Sequence, residues 1–127
     1  MSQYNDTGCK AFECDEAIAQ HARVKLDSDG KVTTAALADK DIGTARNATL
    51  AAGEIVTVLL RSKPGTHKMI AVEALAAGAT VYSEAAGKVQ DTAATGAFQV
   101  GTALEAATAD GDVIEVLYNA HGDTAAS

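Results

Sequence analysis

The same pattern of small and β-branched residues runs through this chain twice. Val24-Lys25-Leu26, Gly30-Lys31-Val32, Ile42-Gly43-Thr44-Ala45 and residues 53–59 form the first reading. Val81-Tyr82-Ser83, Gly87-Lys88-Val89, Val100-Gly101-Thr102-Ala103 and residues 111–117 form the second. The interval is 57 residues as far as Val32 and 58 from Ile42 onward, so the second reading is one residue longer between those points. Glu16-Ala17-Ile18-Ala19 and Glu73-Ala74-Leu75-Ala76 extend the match backwards. The period is too long and the copies too few for a solenoid. Two pseudo-symmetric halves of one domain are expected. What recurs is Gly, Val, Ile and Ala, the residues of turns and cores, and no candidate catalytic group recurs with them.

Each half reads as strands. Residues 23–27 alternate apolar with charged, as a half-buried strand does, and Ser28-Asp29-Gly30 turns the chain back through residues 31–33. Residues 80–83, a turn through Ala86-Gly87 and residues 88–90 repeat this. The closing strands are the plainest. Val56, Val58 and Leu60 match Ile114, Val116 and Tyr118 as a core face, with Glu54/Asp112 and Thr57/Glu115 as the polar positions between. Their β-branched run disfavours helix. Residues 15–22 and 72–77 are Ala-rich, and each is expected to form a helical turn or a short helix. Short strands between glycine turns predict an all-β fold, a small β-barrel or β-sandwich of two pseudo-symmetric repeats.

At 127 residues the chain fits one compact domain. The expected division is an N-terminal arm over residues 1–9, a single β domain over 10–118 with repeats 10–60 and 67–118, and a flexible tail over 119–127. Residues 61–66, with Pro64-Gly65, join the repeats through a turn. The core has little aromatic content and no Trp. Thin Ala and Val side chains release little transfer free energy each, at roughly 25 cal/mol per Å², so coverage by a partner would add stability. The formal net charge is −7, with ten scattered Lys and Arg. That disfavours nucleic acid and anionic membranes as partners. Cys9 and Cys14 match no zinc spacing, and read as reduced thiols ahead of a small-loop disulfide. With no leader and no apolar run near 18 residues, a soluble cytosolic product is expected.

A search for chemistry returns little. His21, His67 and His121 lack metal-ligand spacing and read as surface or turn residues, so neither a metal nor a cofactor is expected. Ser2, Ser28, Ser62, Ser83 and Ser127 lie in no nucleophile motif. The pairs Asp15/Glu16 and Asp39/Asp41 read as loop or solvated carboxylates, and no phosphate loop is present. Lys68, after the Pro64-Gly65 turn, is weighed as the modified lysine of a biotinyl or lipoyl-like carrier. It lacks the flanking methionine on its N-terminal side, and reads as an ordinary exposed lysine. No catalytic residue is assigned, and the chain reads as a non-enzyme. A carrier or small ligand-binding β domain is the alternative.

The pattern Gly30-Lys31-Val32, Ile42-Gly43 and Ala52-Gly53-Glu54, and more closely residues 78–89 and 100–117, resembles the capsid cement or head-decoration proteins of tailed phages. The resemblance spans residues 10–118. It implies a structural virion protein on the outside of an icosahedral head, made in the host cytoplasm and partnered with the major capsid protein. It also implies a homo-oligomer, with a trimer favoured and a dimer as the other option. An arm adding a strand to a capsid edge is the expected attachment, with Gln3, Tyr4 and Asn5 as contact residues and Tyr4 as the aromatic anchor. Outward positions such as Thr57/Glu115 and Arg46/Leu104 differ between the halves. One skeleton with two faces can therefore bind two neighbours.

Overall fold

The computed structural model describes residues 7–118. Strands β1 (Cys9–Glu13), β2 (Arg23–Leu26), β3 (Val32–Thr34), β4 (Gly43–Ala45) and β5 (Ile55–Leu60) form an antiparallel sheet in the order β1-β5-β4-β2-β3. Strands β6 (His67–Ile70), β7 (Thr80–Ser83), β8 (Val89–Gln90), β9 (Gln99–Ala103) and β10 (Val113–Tyr118) form a second, in the order β6-β10-β9-β7-β8. Strand for strand, the two orders are the same. The chain is all-β, as the alternation and glycine turns predict, and its two curled sheets make a half-barrel.

Each sheet wraps its own core. Ile18, Val24, Val32, Val56 and Val58 are buried in the first, and Leu75, Val81, Val89, Ile114 and Val116 in the second. The period-2 alternation of β5 and β10 accounts for this, because every second side chain faces the concave side. Leu60 and Tyr118, at the strand ends, are only partly buried. The polar positions that repeat have a local purpose. Glu54 accepts from the Leu50 amide at 3.0 Å, and Asp112 accepts from the Thr108 and Ala109 amides at 2.8 and 3.1 Å. Each carboxylate ties down the turn before its closing strand, and these bonds hold the Asp112 carboxyl below its ordinary pKa. The register of β9 on β7 shifts between Val81 and Tyr82, a local irregularity that leaves Val100 without an opposite residue.

Two expectations require correction. The Ala-rich stretches form no helix. Ile18 and Leu75 are instead buried and bridge to Thr49 and Ala107. A stretch this short cannot offset helix nucleation, so tertiary burial of its one large apolar residue decides its path. The only helical turn among the described residues is a 3-10 turn at Ala85–Gly87. In addition, Cys9–Glu13 forms a strand that the alternation did not reveal. It pairs with β5 as β6 pairs with β10.

Candidate functional site at the joint between the sheets

The two sheets meet at a joint built on one buried ion pair. Arg23 starts β2 with its side chain on the convex face, opposite the core, and is fully buried. Its Nη1 donates to Asp41 Oδ2 at 2.9 Å. Nε donates to Lys88 O at 3.0 Å and Nη2 to Glu84 O at 2.7 Å. All three guanidinium nitrogens are thus engaged, two of them by backbone of the second sheet. That satisfaction offsets the cost of removing the charge from water. Asp41, read from sequence as a solvated loop carboxylate, is 8% exposed. It also accepts from the Tyr118 hydroxyl and has Arg61 Nη1 3.8 Å away. Burial and the Asp41 charge raise the Tyr118 pKa well above its ordinary value, so the phenol stays a neutral donor.

Around this pair the packing is close. The 3-10 turn lies on β2, where a Cβ on Gly87 would come within 2.9 Å of Ala22 Cβ and 3.0 Å of the Arg23 backbone. Only glycine lets the two chains approach so far, and its φ of 72° also favours glycine. Ser83 donates to Leu37 O at 2.5 Å and accepts from Phe98 N at 2.8 Å. His67, expected at a surface or turn, is only 2% exposed on β6. Its Nε2 lies 3.2 and 3.1 Å from the carbonyls of Leu59 and Leu60, and its ring meets Tyr118 edge-on at 4.8 Å. Two carbonyl neighbours require Nε2 to be the protonated nitrogen, and Nδ1 is buried without a hydrogen-bond partner. Burial is the main cause that lowers the His67 pKa, and the nearby Lys63 charge adds to it.

Beside the joint runs a groove of about 630 Å³. Its basic lining includes His21, Arg46 and Lys68, and its acidic lining Glu105 and Glu115. The carboxylates there are engaged: Glu105 accepts from the Glu115 amide at 2.7 Å, and Glu115 from the Thr66 hydroxyl at 2.6 Å. His21 occupies a turn with a positive φ of 71°, and partial burial with the Lys68 charge lowers its pKa. Lys68 is exposed within β6, opposite Glu115, whereas the carrier reading would need it at a hairpin tip. Ser83, buried and doubly bonded, has the setting of a structural hydroxyl. The groove therefore holds mixed charges, and its two carboxylates fasten β10 to the loops beside it.

Elsewhere, the carboxylates of Asp15, Asp27 and Asp29 gather within 4.8 Å of one another at the β2–β3 hairpin. A hydrogen bond with Asp27 is the main cause that raises the Asp15 pKa. Glu13 pairs with Lys31 at 2.9 Å beside them. Cys14 is a buried thiol, 3.3 Å from Ala51 O. Gln3, Tyr4, Asn5 and His121 lie outside the described residues.

The joint was hidden in the sequence. Arg23 looks like the first polar position of an alternating strand, and nothing near Asp41 marks it as buried. A usable signal was the mismatch between the readings: Arg23 matches Thr80, and Asp41 matches Gln99.

With this geometry in view, the family comparison is direct. Residues 64–118, which contain the whole second sheet, match the family described as phage cement protein. The match supports a phage capsid cement protein family, the one the sequence pattern resembles. No curated protein matches this chain.

Proposed function

We propose that this chain decorates the outer surface of an icosahedral phage head and stabilises it by bridging subunits of the major capsid protein. The observation that supports this reading is the cement-family match across residues 64–118. A structural phage capsid role follows from the family. Exterior placement, bridging and the absence of catalysis are our reading. So are synthesis in the host cytoplasm and assembly as a homo-oligomer, with a trimer favoured.

Physically, the fold suits a clamp. Two cores held by a buried polar joint make a stiff body with two differently decorated faces. A contact formed only in the assembled shell resists separation of the subunits it spans, and many copies multiply modest individual contacts. In this reading residues 10–118 act as one domain of two repeats. The arm over 1–9, with Gln3, Tyr4 and Asn5, and the tail over 119–127 reach neighbouring capsid subunits.

The test is a mixing experiment with undecorated, expanded heads. Purified chain should co-sediment with the heads and raise the temperature at which they release DNA. A chain that neither binds nor shifts that temperature overturns the proposal.

A further inference from the structure

Matched positions on the two sheets differ sharply in coverage, and the difference has a direction. On the first sheet, Arg23, Thr44 and Leu59 form a row across β2, β4 and β5 on the convex face. The second sheet covers most of that row: Arg23 and Thr44 are buried, the 3-10 turn reaches Arg23, and His67 reaches the carbonyl of the half-buried Leu59. The same row on the second sheet is Thr80, Thr102 and Leu117, across β7, β9 and β10. There Thr80 is exposed, and so is Leu117, at 51%. Leu104, on the same sheet, is 45% exposed.

The covering element shows the converse. Ser83 and the 3-10 turn of the second sheet are engaged in the joint. Their matches on the first sheet are Leu26, 50% exposed, and the exposed Ser28-Asp29-Gly30 tip. The sheets thus pack head to tail. Among the described residues, one convex row is largely covered and the other is open, while one hairpin tip is docked and the other is exposed. A vacant socket at one end and an unused plug at the other is the condition for heterologous association.

We infer that the convex row Thr80–Thr102–Leu117 takes the β2–β3 hairpin of a second copy of this chain, repeating the internal joint between molecules. The occupant is identified by what covers the matched row within the chain. Leu104 and Leu117 leave apolar surface exposed on this face. Gly30 meets nothing within 4 Å of where its Cβ would stand, so it is open to the close approach that Gly87 makes inside the chain. The intermolecular joint differs on both sides: Thr80 and Gln99 replace Arg23 and Asp41, and the docking hairpin carries Leu26 and Asp29 where the internal one has Ser83 and Ala86. It therefore lacks the Arg23–Asp41 ion pair and is the more easily separated of the two. Heterologous contacts of this kind close into a ring or run open, and a ring of three chains would carry six matched sheets. This inference rests on the homo-oligomer part of the proposed function.

The test uses the full chain in a Cys9→Ser background. Asp29→Cys and Thr80→Cys are prepared separately and treated with a short bis-maleimide, alone and mixed, both at high concentration in solution and on heads. The expected product is a covalent dimer linking position 29 to position 80, formed only in the mixture. Leu117→Lys, at an exposed site that leaves the core untouched, should reduce its yield at least tenfold with unchanged thermal unfolding. Dominant 80-to-80 linkage would mean two-fold pairing and overturn the inference. So would linkage of position 80 to the major capsid protein, or the absence of any 29-to-80 product both in solution and on heads. Heads that bind the chain without this product would contradict only the inference. The product without head binding would contradict only the capsid reading.

Discussion

Leu59 and Leu117 occupy the same place on two sheets with the same strand order, yet Leu59 is half-buried and Leu117 is 51% exposed. The concave sides of the sheets are near copies, with Val56 and Val58 answered by Ile114 and Val116. The convex sides are not. Arg23 and Asp41 make the first convex face into a permanent joint, while Thr80 and Gln99 leave the second without charge at the matched places. One backbone plan therefore serves for internal fastening on one sheet and leaves a free surface on the other. Core residues set the fold, and the unmatched convex residues set what each sheet can bind.

The largest expected contrast is at the ion pair. Asp41→Ala leaves the Arg23 charge buried without its counter-ion and should cost about 3–5 kcal/mol in denaturant unfolding. The matched Gln99→Ala should cost less than about 1 kcal/mol. Equal losses would mean that the joint is not what separates the two sheets.

A smaller contrast concerns the hairpin tips. Gly30 and Gly87 both have positive φ, at 83° and 72°. Gly30→Ala meets open space and should cost about 1–2 kcal/mol, from the left-handed backbone alone. Gly87→Ala has in addition to displace Ala22 and the Arg23 backbone, adding about 1–3 kcal/mol. Thermal unfolding of the two variants side by side reads the difference.

The least conspicuous effect is in pH. The folded pKa of His67 lies below its ordinary 6.5. Between those two values the unfolded chain holds the proton and the folded chain does not. Stability should therefore fall as pH drops through about 6.5 and level off below the folded value. Asp41 and the Leu59 and Leu60 carbonyls, which favour the proton, moderate the fall, and Lys63 strengthens it. His67→Phe should flatten the slope, leaving the smaller contribution of His21, whose pKa is also lowered. Denaturant titrations between about pH 5 and pH 8 measure it. A slope of opposite sign would mean that His67 is held as a cation.

Much of the concave side could be read from the sequence. Val56, Val58, Ile114 and Val116 alternate with polar residues, and Gly30, Gly53 and Gly111 punctuate the strands, so local rules suffice there. β1 was missed because Cys9, Lys10, Ala11, Phe12 and Glu13 alternate weakly. What makes them a strand is the open edge of β5, which no local window contains. The Ala-rich stretches misled for a related reason: their propensity is helical, but Ile18 and Leu75 are drawn into the cores. The joint was the least legible part. Arg23 is buried by residues 61 and 65 positions further along the chain, Glu84 and Lys88. Only the packing of one sheet on the other reveals that.

The central claim is a capsid-binding clamp, and an electron cryo-microscopy map of heads assembled with and without this chain tests it most directly. The account predicts added density on the outer surface, seated across neighbouring major capsid subunits and fitted by two five-stranded sheets per chain. Heads with no such exterior density when the chain is present would contradict it.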